Sequence, residues 1–553
     1  MYKILITIVI TALIAIGCDL PLKYKGLNSD LIQAKNNKIL PDTIIYHPVS
    51  VDQKGDILPW YSSNLGESYD IVLSKVWSFW KNIELDSNGM KYYMNHQVWR
   101  PNHDKRGLGG DQFMMALSSW DLYYDYTGDK SIIDNMKYMA DYYLAHSLSS
   151  PDSKWPDLPF PYNTKVEASI YDGDMILGKG YLQPDKAGSF GFELLKLYKK
   201  TGDEKYLSAA VKIANTLASK VRAGDNDNSP WPFKVNAETG ETAILVDQAE
   251  WHEGMSEELK NSNPKNKKSA YTTNWTGTLE LFTGLIDLQK ENSNAYKNAF
   301  NVTLNWLKTY PAKTNKWGPF FEDVPGWSDT QINGITYAMY IIQHPDLDPN
   351  WKETVNNIFQ WVHKELDNKE FVKYGVTCIN EQTAYRVPGN SHSSRQASVE
   401  LMYWEATRDT TYTRNDIRML NWATYMVDAD GKNFYPRDDI WMTDGYGDYV
   451  RHYLRAMAAA PQLAPDNANH LLRTSSIVKN IDYLTSSISY TTFDNTSEEL
   501  FRLISKPKMV KVNGEVLPDV NDKVSEGWIW QSLAKGGVLK IKHTKGSKIE
   551  VIK

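Results

Sequence analysis

The chain has 553 residues and a formal net charge of −6, with no block of basic residues. Because a nucleic-acid-binding protein needs a concentrated footprint of lysine and arginine, these features argue against that class of function. The aromatic residues comprise 19 tryptophans and 34 tyrosines against 15 phenylalanines, and indole and phenol groups, which join a flat apolar face to a polar group, suit the binding of sugar rings.

The N-terminus has the pattern of a bacterial export signal. Lys3 precedes an apolar run over residues 4–16, which is shorter than the roughly 20 residues that a mature membrane-spanning helix needs. The run ends in Gly17-Cys18, which resembles a lipobox, so Cys18 is predicted to be lipidated and to become the mature N-terminus. Its acyl chains would anchor the protein to a membrane, on the periplasmic or the cell-surface side of the outer membrane. The alternative is an ordinary secretory signal that is cleaved nearby.

The central part of the chain repeats one pattern. Residues 120–129 and residues 194–203 each read as a helix, a Thr-Gly-Asp turn and the start of a second helix. Glycine ends the first helix, aspartate caps the second, and apolar residues then recur at three- and four-residue spacing. Looser copies cover residues 279–310 and 398–427, and in the latter Arg408 replaces the glycine. The pattern predicts a series of helical hairpins.

A single helical hairpin leaves an apolar face exposed, whereas six or seven stacked hairpins bury theirs in a closed ring. The sequence therefore predicts a mainly α fold, an (α/α)6–7 toroid. An open solenoid is the rival, but it has short, uniform loops, and here the loops before alternate helices are long. From about residue 475, short alternating runs and the turn Asn513-Gly514 predict a small C-terminal β-sandwich. The predicted order is a signal peptide (1–17), a lipidated N-terminus and tether (18–65), the toroid (66–470) and the β-domain (471–553).

Candidate site residues lie in the loops that would lead into the inner helices, at the end of the ring where toroids of this kind have their pocket. Residues 95–111 alone hold two His, two Arg, one Trp and two Asp. Each polar residue by itself is typical of a helix cap or turn, but capping does not require Trp, His and Arg to recur in the same loops. The candidate catalytic residues are His103, Asp111, His392 and Tyr446. The candidate substrate-binding residues are Trp99, Arg100, Arg106, Asp172, Trp231, Asn274, Trp275, Arg395 and Asp444.

Two reaction classes stay open at this point. The sequence has no zinc, EF-hand, phosphate-loop or serine-elbow motif, so no metal and no cofactor are predicted. Hydrolysis of a glycosidic bond needs a pair of carboxyl groups, for which the candidates are Asp111, Asp172, Asp174, Glu322, Asp323 and Asp444. β-Elimination on a uronic acid needs a cation, a base and an acid, for which the candidates are Arg100, Arg106, Arg395, His103, His392 and Tyr446. A non-catalytic glycan-binding lipoprotein is a third hypothesis, which would need the aromatic groups alone.

The lipobox-like Gly17-Cys18, the Thr-Gly-Asp hairpins and the segments 490–494 and 536–541 resemble lipoproteins from polysaccharide-utilisation loci of marine Bacteroidota. The predicted ring resembles six-hairpin glycosidases, unsaturated-glucuronyl hydrolases and toroidal polysaccharide lyases. Within these, the chain is most similar to the ulvan oligosaccharide dehydratase type. That resemblance implies an acidic oligosaccharide substrate and the removal of water from a terminal uronate, which leaves a 4,5-unsaturated sugar. No residue role is carried over, because no short catalytic motif aligns.

Overall fold

Twelve helices of at least eleven residues and nine strands of a C-terminal sandwich form most of the described structure. The computed structural model describes residues 38–85, 89–91, 110–164, 170–174, 177–245, 267–320, 328–434, 444–520 and 526–553. The helices are α1 (Leu65–Lys81), α2 (Gly110–Thr127), α3 (Lys130–His146), α4 (Pro184–Thr201), α5 (Glu204–Lys220), α6 (Thr276–Asp287), α7 (Ser293–Thr309), α8 (Gln331–Gln343), α9 (Trp351–Glu365), α10 (Asn390–Thr407), α11 (Thr413–Ala423) and α12 (Asp444–Ala459).

The even-numbered helices form a closed inner ring. Each contacts the next in the order α2, α4, α6, α8, α10 and α12, and α12 contacts α2 again. The odd-numbered helices pack outside, each from α3 to α11 against the inner helix that precedes it, while α1 contacts α12. The sixth helix pair therefore joins the two ends of the helical region. The predicted closed toroid is confirmed, with six pairs of helices.

The predicted Thr-Gly-Asp turns connect inner to outer helices. Gly128 and Gly202 have φ angles of 72° and 76°, which is the left-handed conformation that ends a helix. The carboxylates of Asp129 and Asp203 then accept backbone N–H groups of the next helix, at 2.9 and 3.2 Å. Arg408 takes the same left-handed conformation, with φ of 68°, so this hairpin keeps the turn geometry without the glycine.

The two turn glycines provide a matched stability test. A Cβ at Gly202 would meet no atom within 4 Å, so Gly202→Ala is expected to lower the free energy of unfolding by only about 1 kcal/mol, the cost of the left-handed conformation. A Cβ at Gly128 would lie 3.0 Å from the Ile481 carbonyl oxygen and 3.2 Å from the Tyr483 ring, so Gly128→Ala should cost more. Urea unfolding of both variants checks this, and equal losses would contradict it.

The C-terminal strands form a sandwich of two antiparallel sheets, as predicted. One sheet has the order β3-β6-β10-β9 and the other β4-β5-β11-β7-β8. Asn513 and Gly514 form the predicted hairpin turn, with φ angles of 49° and 90°. The strands are β3 (His470–Thr474), β4 (Val478–Tyr483), β5 (Ser487–Thr492), β6 (Ser497–Leu503), β7 (Met509–Val512), β8 (Glu515–Leu517), β9 (Gly527–Ser532), β10 (Gly537–His543) and β11 (Lys548–Ile552).

The sandwich covers one end of the ring. Strand β3 contacts α2 and α12, and β4 contacts α2 and α4. Lys200, in the last turn of α4, donates to the carbonyl oxygen of Val478 on β4 at 2.9 Å. The C-terminal ends of these inner helices therefore face the sandwich. The N-terminal ends, into which the predicted loops lead, form the other end of the ring.

Residues 38–65 differ from the predicted tether, because the structure folds them onto the ring. Strands β1 (Lys38–Ile44) and β2 (His47–Val51) form a hairpin, and Val49 and Ile57 are fully buried. Asp56 forms ion pairs with two arginines of α11, Arg414 and Arg418. Residues 38–65 are therefore part of the folded structure. Among the described helices, none is long and apolar enough to cross a membrane.

Candidate active site

Polar side chains line the inside of the ring. On α12, Asp448, Arg451, His452 and Arg455 are spaced three, one and three residues apart, which places them on one helix face. On α4, Glu193, Lys196 and Lys200 are placed in the same way, and on α2 Asp121 and Asp125 are four residues apart. The charged faces of α4 and α2 lie opposite each other, because Lys200 Nζ is 3.0 Å from the carboxylate of Asp121 and 2.9 Å from that of Asp125.

The carboxylate of Asp448 is the centre of a cluster between α10 and α12. It accepts a hydrogen bond from Ser391 Oγ at 2.6 Å and lies 2.9 Å from His452 Nε2. It also forms ion pairs with Arg395 of α10 and with Arg451 of its own helix. Asp448 has no exposed side-chain surface, whereas 15% of the Arg451 side chain is exposed. One buried carboxylate therefore holds two guanidinium groups.

Arg455, one turn beyond Arg451, adds a third guanidinium to this region. Burial, together with the charges of Arg451 and Arg455, holds the pKa of Arg395 well below its usual range. Burial lowers the pKa of Arg451 to about 10, and burial with the charge of Arg451 lowers that of Arg455 to about 9. These values leave both side chains positive at neutral pH. Among the described residues, the acids that act on these guanidinium groups are Asp448, Glu193 and Glu381. Three guanidinium groups are nevertheless held close together, and the carboxylate of a ligand would be stabilised beside them.

Two histidines lie in the same positive region. Burial, followed by the neighbouring arginine charges, moves the pKa of His392 and of His452 well below 6.5. Both imidazoles are therefore neutral at neutral pH, and a neutral imidazole can accept a proton. Gly389 makes room for His392, because a Cβ at this position would lie 2.3 Å from His392 Nδ1.

Ion pairs within and between α2 and α4 fill the part of the ring interior nearer the sandwich. Glu193 lies 2.6 Å from Lys196, which in turn lies 3.5 Å from Asp121. Burial raises the pKa of Glu193 above its usual value, so this carboxyl group keeps its proton to a higher pH than an ordinary glutamate does. Burial also raises the pKa of Asp125, beside the sandwich, to about 7. The ring interior is thus closed by charge pairs at the sandwich end.

A second buried cluster lies at the start of α4 and α6. The carboxylate of Asp185 accepts hydrogen bonds from Lys186 and from Asn274, both at 2.9 Å. The Lys186 amine also donates to the carbonyl oxygen of Phe320 at 2.7 Å and lies 3.9 Å from the centre of its ring. Asn274 therefore lies at this end of the ring, where its amide donates to Asp185.

The predicted site residues have three different outcomes in the described structure. His392 and Arg395 lie together on α10, and Asn274 lies at the same end of the ring. Asp172 lies in a turn, where its Oδ1 accepts the backbone N–H and the hydroxyl of Thr164. Trp99, Arg100, His103 and Arg106 lie outside the described residues, and Asp111, Asp444 and Tyr446 lie in first helical turns whose side chains are not described.

Trp231 and Trp275 require a correction. Both are 0% exposed, and their rings pack against each other with centroids 4.8 Å apart. Each indole N–H is used internally, Trp231 donating to the Leu217 carbonyl oxygen and Trp275 to that of Thr272, both at 2.8 Å. Neither ring presents a face to a ligand in this structure, because both fill the space between α5, α6 and their loops.

The site prediction missed several residues inside the ring. The prediction covered only loop residues and so did not include Arg451, Arg455, Glu193 and Gln331. The sequence does contain a signal for charged residues inside the ring. They recur at three- and four-residue spacing within the otherwise apolar helices α4 and α12. Within the described residues, no group of three or more potential ligands is placed to hold a metal ion.

A pH-dependent contribution to stability is expected from His363 on the outer helix α9. Its ring nitrogens contact Asp367 at 2.8 Å and Glu400 at 2.7 Å. Burial alone would lower the pKa of His363, but the charge of Glu400 and hydrogen bonds to both carboxylates outweigh it and raise the pKa to about 10. The stabilisation is therefore complete below pH 6.5 and is lost as the pH rises towards 10.

We expect His363→Gln to lower the free energy of unfolding by about 3 kcal/mol at pH 6, because one member of a buried charge cluster is removed. The loss should shrink steadily between pH 6.5 and pH 10. Urea unfolding at pH 6, 8 and 10 measures it. His146→Gln, at the exposed end of α3, is the matched control and should show no such trend. A loss that did not change with pH would contradict the assignment of a protonated His363.

Solved structures with the same architecture place the ring among known folds. The protein aligns with a sugar epimerase from a ruminal bacterium over 71% of this chain and 98% of that one, at 13% identity and a TM-score of 0.50. It aligns with a family 76 glycoside hydrolase from a bovine Bacteroides thetaiotaomicron strain over 71% and 77%, at 12% identity and a TM-score of 0.43. It also aligns with a polysaccharide lyase over 72% and 97%, at 12% identity and a TM-score of 0.40.

The ring is an α/α toroid. These identities show a shared fold alone, and of the three only the epimerase reaches a TM-score of 0.50. No protein-family model matches the sequence. A comparison with curated proteins also finds no match. An activity therefore has to be argued from the site itself.

Proposed function

We propose that the protein is a carbohydrate-active enzyme that binds a uronate-containing oligosaccharide in the ring and acts on it by β-elimination. The observation that carries this proposal is that Arg395 and Arg451 share the carboxylate of Asp448, with Arg455 and two neutral imidazoles in the same electrostatic surroundings. A cluster of guanidinium groups suits the carboxylate of a uronate, since arginine binds carboxylates with paired hydrogen bonds.

The proposed reaction begins with proton transfer from carbon. A base takes the proton at C5, the electron pair of that C–H bond forms the C4–C5 double bond, and the C4–O bond breaks. Guanidinium groups at the uronate lower the cost of the negative charge that develops beside C5. His392 is the proposed base, and Glu193, with its raised pKa, is a candidate to protonate the leaving oxygen. Loss of hydroxide as water makes the enzyme a dehydratase, and loss of a sugar makes it a lyase.

Hydrolysis of a glycosidic bond is the second candidate function. The raised pKa of Glu193 favours it, because a general acid is one of the two carboxyl groups that this reaction needs. The second carboxyl group would have to be free of strong cation partners. Among the other described carboxylates inside the ring, Asp121 and Asp448 are each paired with two cations and Asp125 is paired with Lys200, so elimination is preferred.

Ulvan-derived oligosaccharides are the proposed first substrates, because they contain uronate. The purified protein is incubated with them while product mass and ultraviolet absorbance of the new double bond are recorded. Loss of water with rising absorbance supports dehydration, and chain shortening with rising absorbance supports a lyase. Gain of water with bond cleavage supports hydrolysis, and falling absorbance would indicate that an unsaturated uronide is the substrate. Binding without any change would favour a glycan-binding lipoprotein.

We also propose that Cys18 carries a lipid anchor that holds the enzyme at the outer membrane. The supporting observation is the apolar run that ends in Gly17-Cys18. Metabolic labelling with a palmitate analogue tests the proposal. The wild-type chain should take up the label and Cys18→Ser should not.

A further inference from the structure

A chain of buried side chains connects Arg395 with the outer layer of the ring. Arg395 Nη1 donates to Gln331 Oε1 at 2.9 Å, and Gln331 Nε2 donates to Gln396 Oε1 at 3.0 Å. Gln396 Nε2 then donates to Glu400 Oε1 at 2.8 Å. All four residues are at least 97% buried. His363 contacts the same Glu400 oxygen from α9.

The direction of this chain is determined by its two ends. Arginine has only donors and an ionised glutamate has only acceptors. Both glutamine amides must therefore turn their oxygen towards Arg395 and their nitrogen towards Glu400. If either amide reversed, two donors or two acceptors would face each other in a buried place, which is costly.

Glu400 holds its charge despite being buried. Burial by itself raises the pKa of Glu400, but the charge of His363 and hydrogen bonds from His363, Asp416 and Gln396 outweigh it and lower the pKa. Burial, with the charge of Glu400, raises the pKa of Asp416 well above its usual value. Asp416 therefore keeps its proton to a higher pH than an ordinary aspartate does, and in that form it can donate a hydrogen bond to Glu400. The acceptor end of the chain is fixed by these partners.

At the other end, the chain leaves one guanidinium nitrogen of Arg395 without a partner in the described structure. Nη1 is taken by Gln331, and Nη2 by Ser391 and Asp448. The Nε–H group has no hydrogen-bond partner in the described structure, although it is buried. A buried donor without a partner inside a positively charged region is a binding position for an anionic acceptor.

We propose that Gln331, Gln396 and Glu400 are positioning residues that orient the Arg395 guanidinium for the carboxylate of an acidic sugar. This inference rests on the proposed function, in which Arg395 receives that carboxylate. Gln396 and Glu400 act through Arg395 and touch neither the sugar nor the reacting atoms. If these three residues only stabilised the fold, replacing them would change the stability of the protein whether or not Arg395 is present.

A double-mutant cycle separates these cases. The dissociation constant of glucuronate is measured by calorimetry for the wild type, Arg395→Lys, Gln396→Met and the double variant. Loss of a charge-assisted hydrogen bond is expected to weaken binding at least tenfold in Arg395→Lys, and Gln396→Met should weaken it about tenfold. The double variant should bind within about twofold of Arg395→Lys, because Gln396 has nothing left to orient.

Two further variants guard against misfolding. Gln331→Glu keeps an acceptor for Arg395, so it should bind glucuronate more tightly than Gln331→Met even though it buries an extra charge. Ser394→Ala is the matched control, since Ser394 is buried on the same turn of α10 but bonds only to backbone carbonyl oxygens of its own helix. It should bind within about twofold of the wild type, and thermal unfolding is recorded for every variant.

The outcomes distinguish the two proposals. If the wild type does not bind glucuronate, or if Arg395→Lys binds it as tightly as the wild type, then the proposed role of Arg395 is wrong and the inference falls with it. If Arg395→Lys weakens binding but the effect of Gln396→Met is simply additive, the proposed function survives and the positioning role is wrong.

Discussion

Replacing His392 with glutamine is expected to lower turnover of uronate oligosaccharides by about 10³-fold, the usual contribution of a general base. The neutral imidazole lies among guanidinium groups that would hold the substrate carboxylate, and glutamine fills a similar space without accepting a proton. Only 1% of His392 is exposed in the described structure, so the rate also depends on how the sugar gains access to the imidazole. Initial rates from the absorbance of the unsaturated product measure the effect.

The pH profile adds a second readout for His392. Its pKa lies well below 6.5, because of burial and then the charges of Arg395 and His452. The base therefore stays unprotonated down to a pH below 6.5, and wild-type activity should not fall between pH 7.5 and 6.5 through this group. His344→Gln is the control, because His344 contacts Glu280 at 2.8 Å at the end of α8, away from the cluster. Near-normal turnover in His392→Gln would remove it from the mechanism.

Replacing Asp448 with asparagine is expected to lower the free energy of unfolding by about 3–5 kcal/mol, the usual cost of removing one partner from a buried charge cluster. Arg395 and Arg451 would lose the carboxylate that both contact, and asparagine would present a donor as well as an acceptor to them. Urea unfolding at neutral pH measures the loss. Added sulfate should restore part of the stability, because an anion that binds only the folded state can replace the missing charge.

Ser391→Ala is the matched control for Asp448. It removes one hydrogen bond to the same carboxylate, at 2.6 Å, but leaves both ion pairs, so it should cost only about 1 kcal/mol. If Asp448→Asn were as stable as Ser391→Ala, the two guanidinium groups would not depend on this carboxylate. The mutual repulsion of the guanidinium groups, on which the proposed binding of an anion is based, would then be weak.

The hairpins and the sandwich strands could be predicted because their signals are local. A glycine that ends a helix and an aspartate that caps the next one act within a few residues. The same is true of the Asn513-Gly514 turn. Arg408 takes the same left-handed turn conformation as the glycines, because the flanking helices impose that geometry. Repeated hairpins predict a closed ring, because stacking buries their apolar faces. They do not decide whether the ring has six or seven pairs of helices.

The site was only partly predictable, because its members come from separate helices. His392 and Arg395 are one turn apart on α10 and could be named together. Their partners Asp448 and Gln331 are brought in by the closing of the ring, and Ser391 and Asp448 are 57 residues apart in sequence. The aromatic bias was ambiguous for a different reason. An indole suits a sugar face and a protein core equally well, and Trp231 and Trp275 proved to be core residues.

By itself, the sequence determined the helical hairpins, the turns between them and the sandwich strands, since each depends on neighbouring residues and on the period of the apolar pattern. Only the tertiary structure decided which charged groups meet inside the ring and which tryptophans are buried. Their side chains interact through space, and the pKa values of Glu193, His392 and the arginines follow from burial and neighbouring charges, neither of which is set by local sequence.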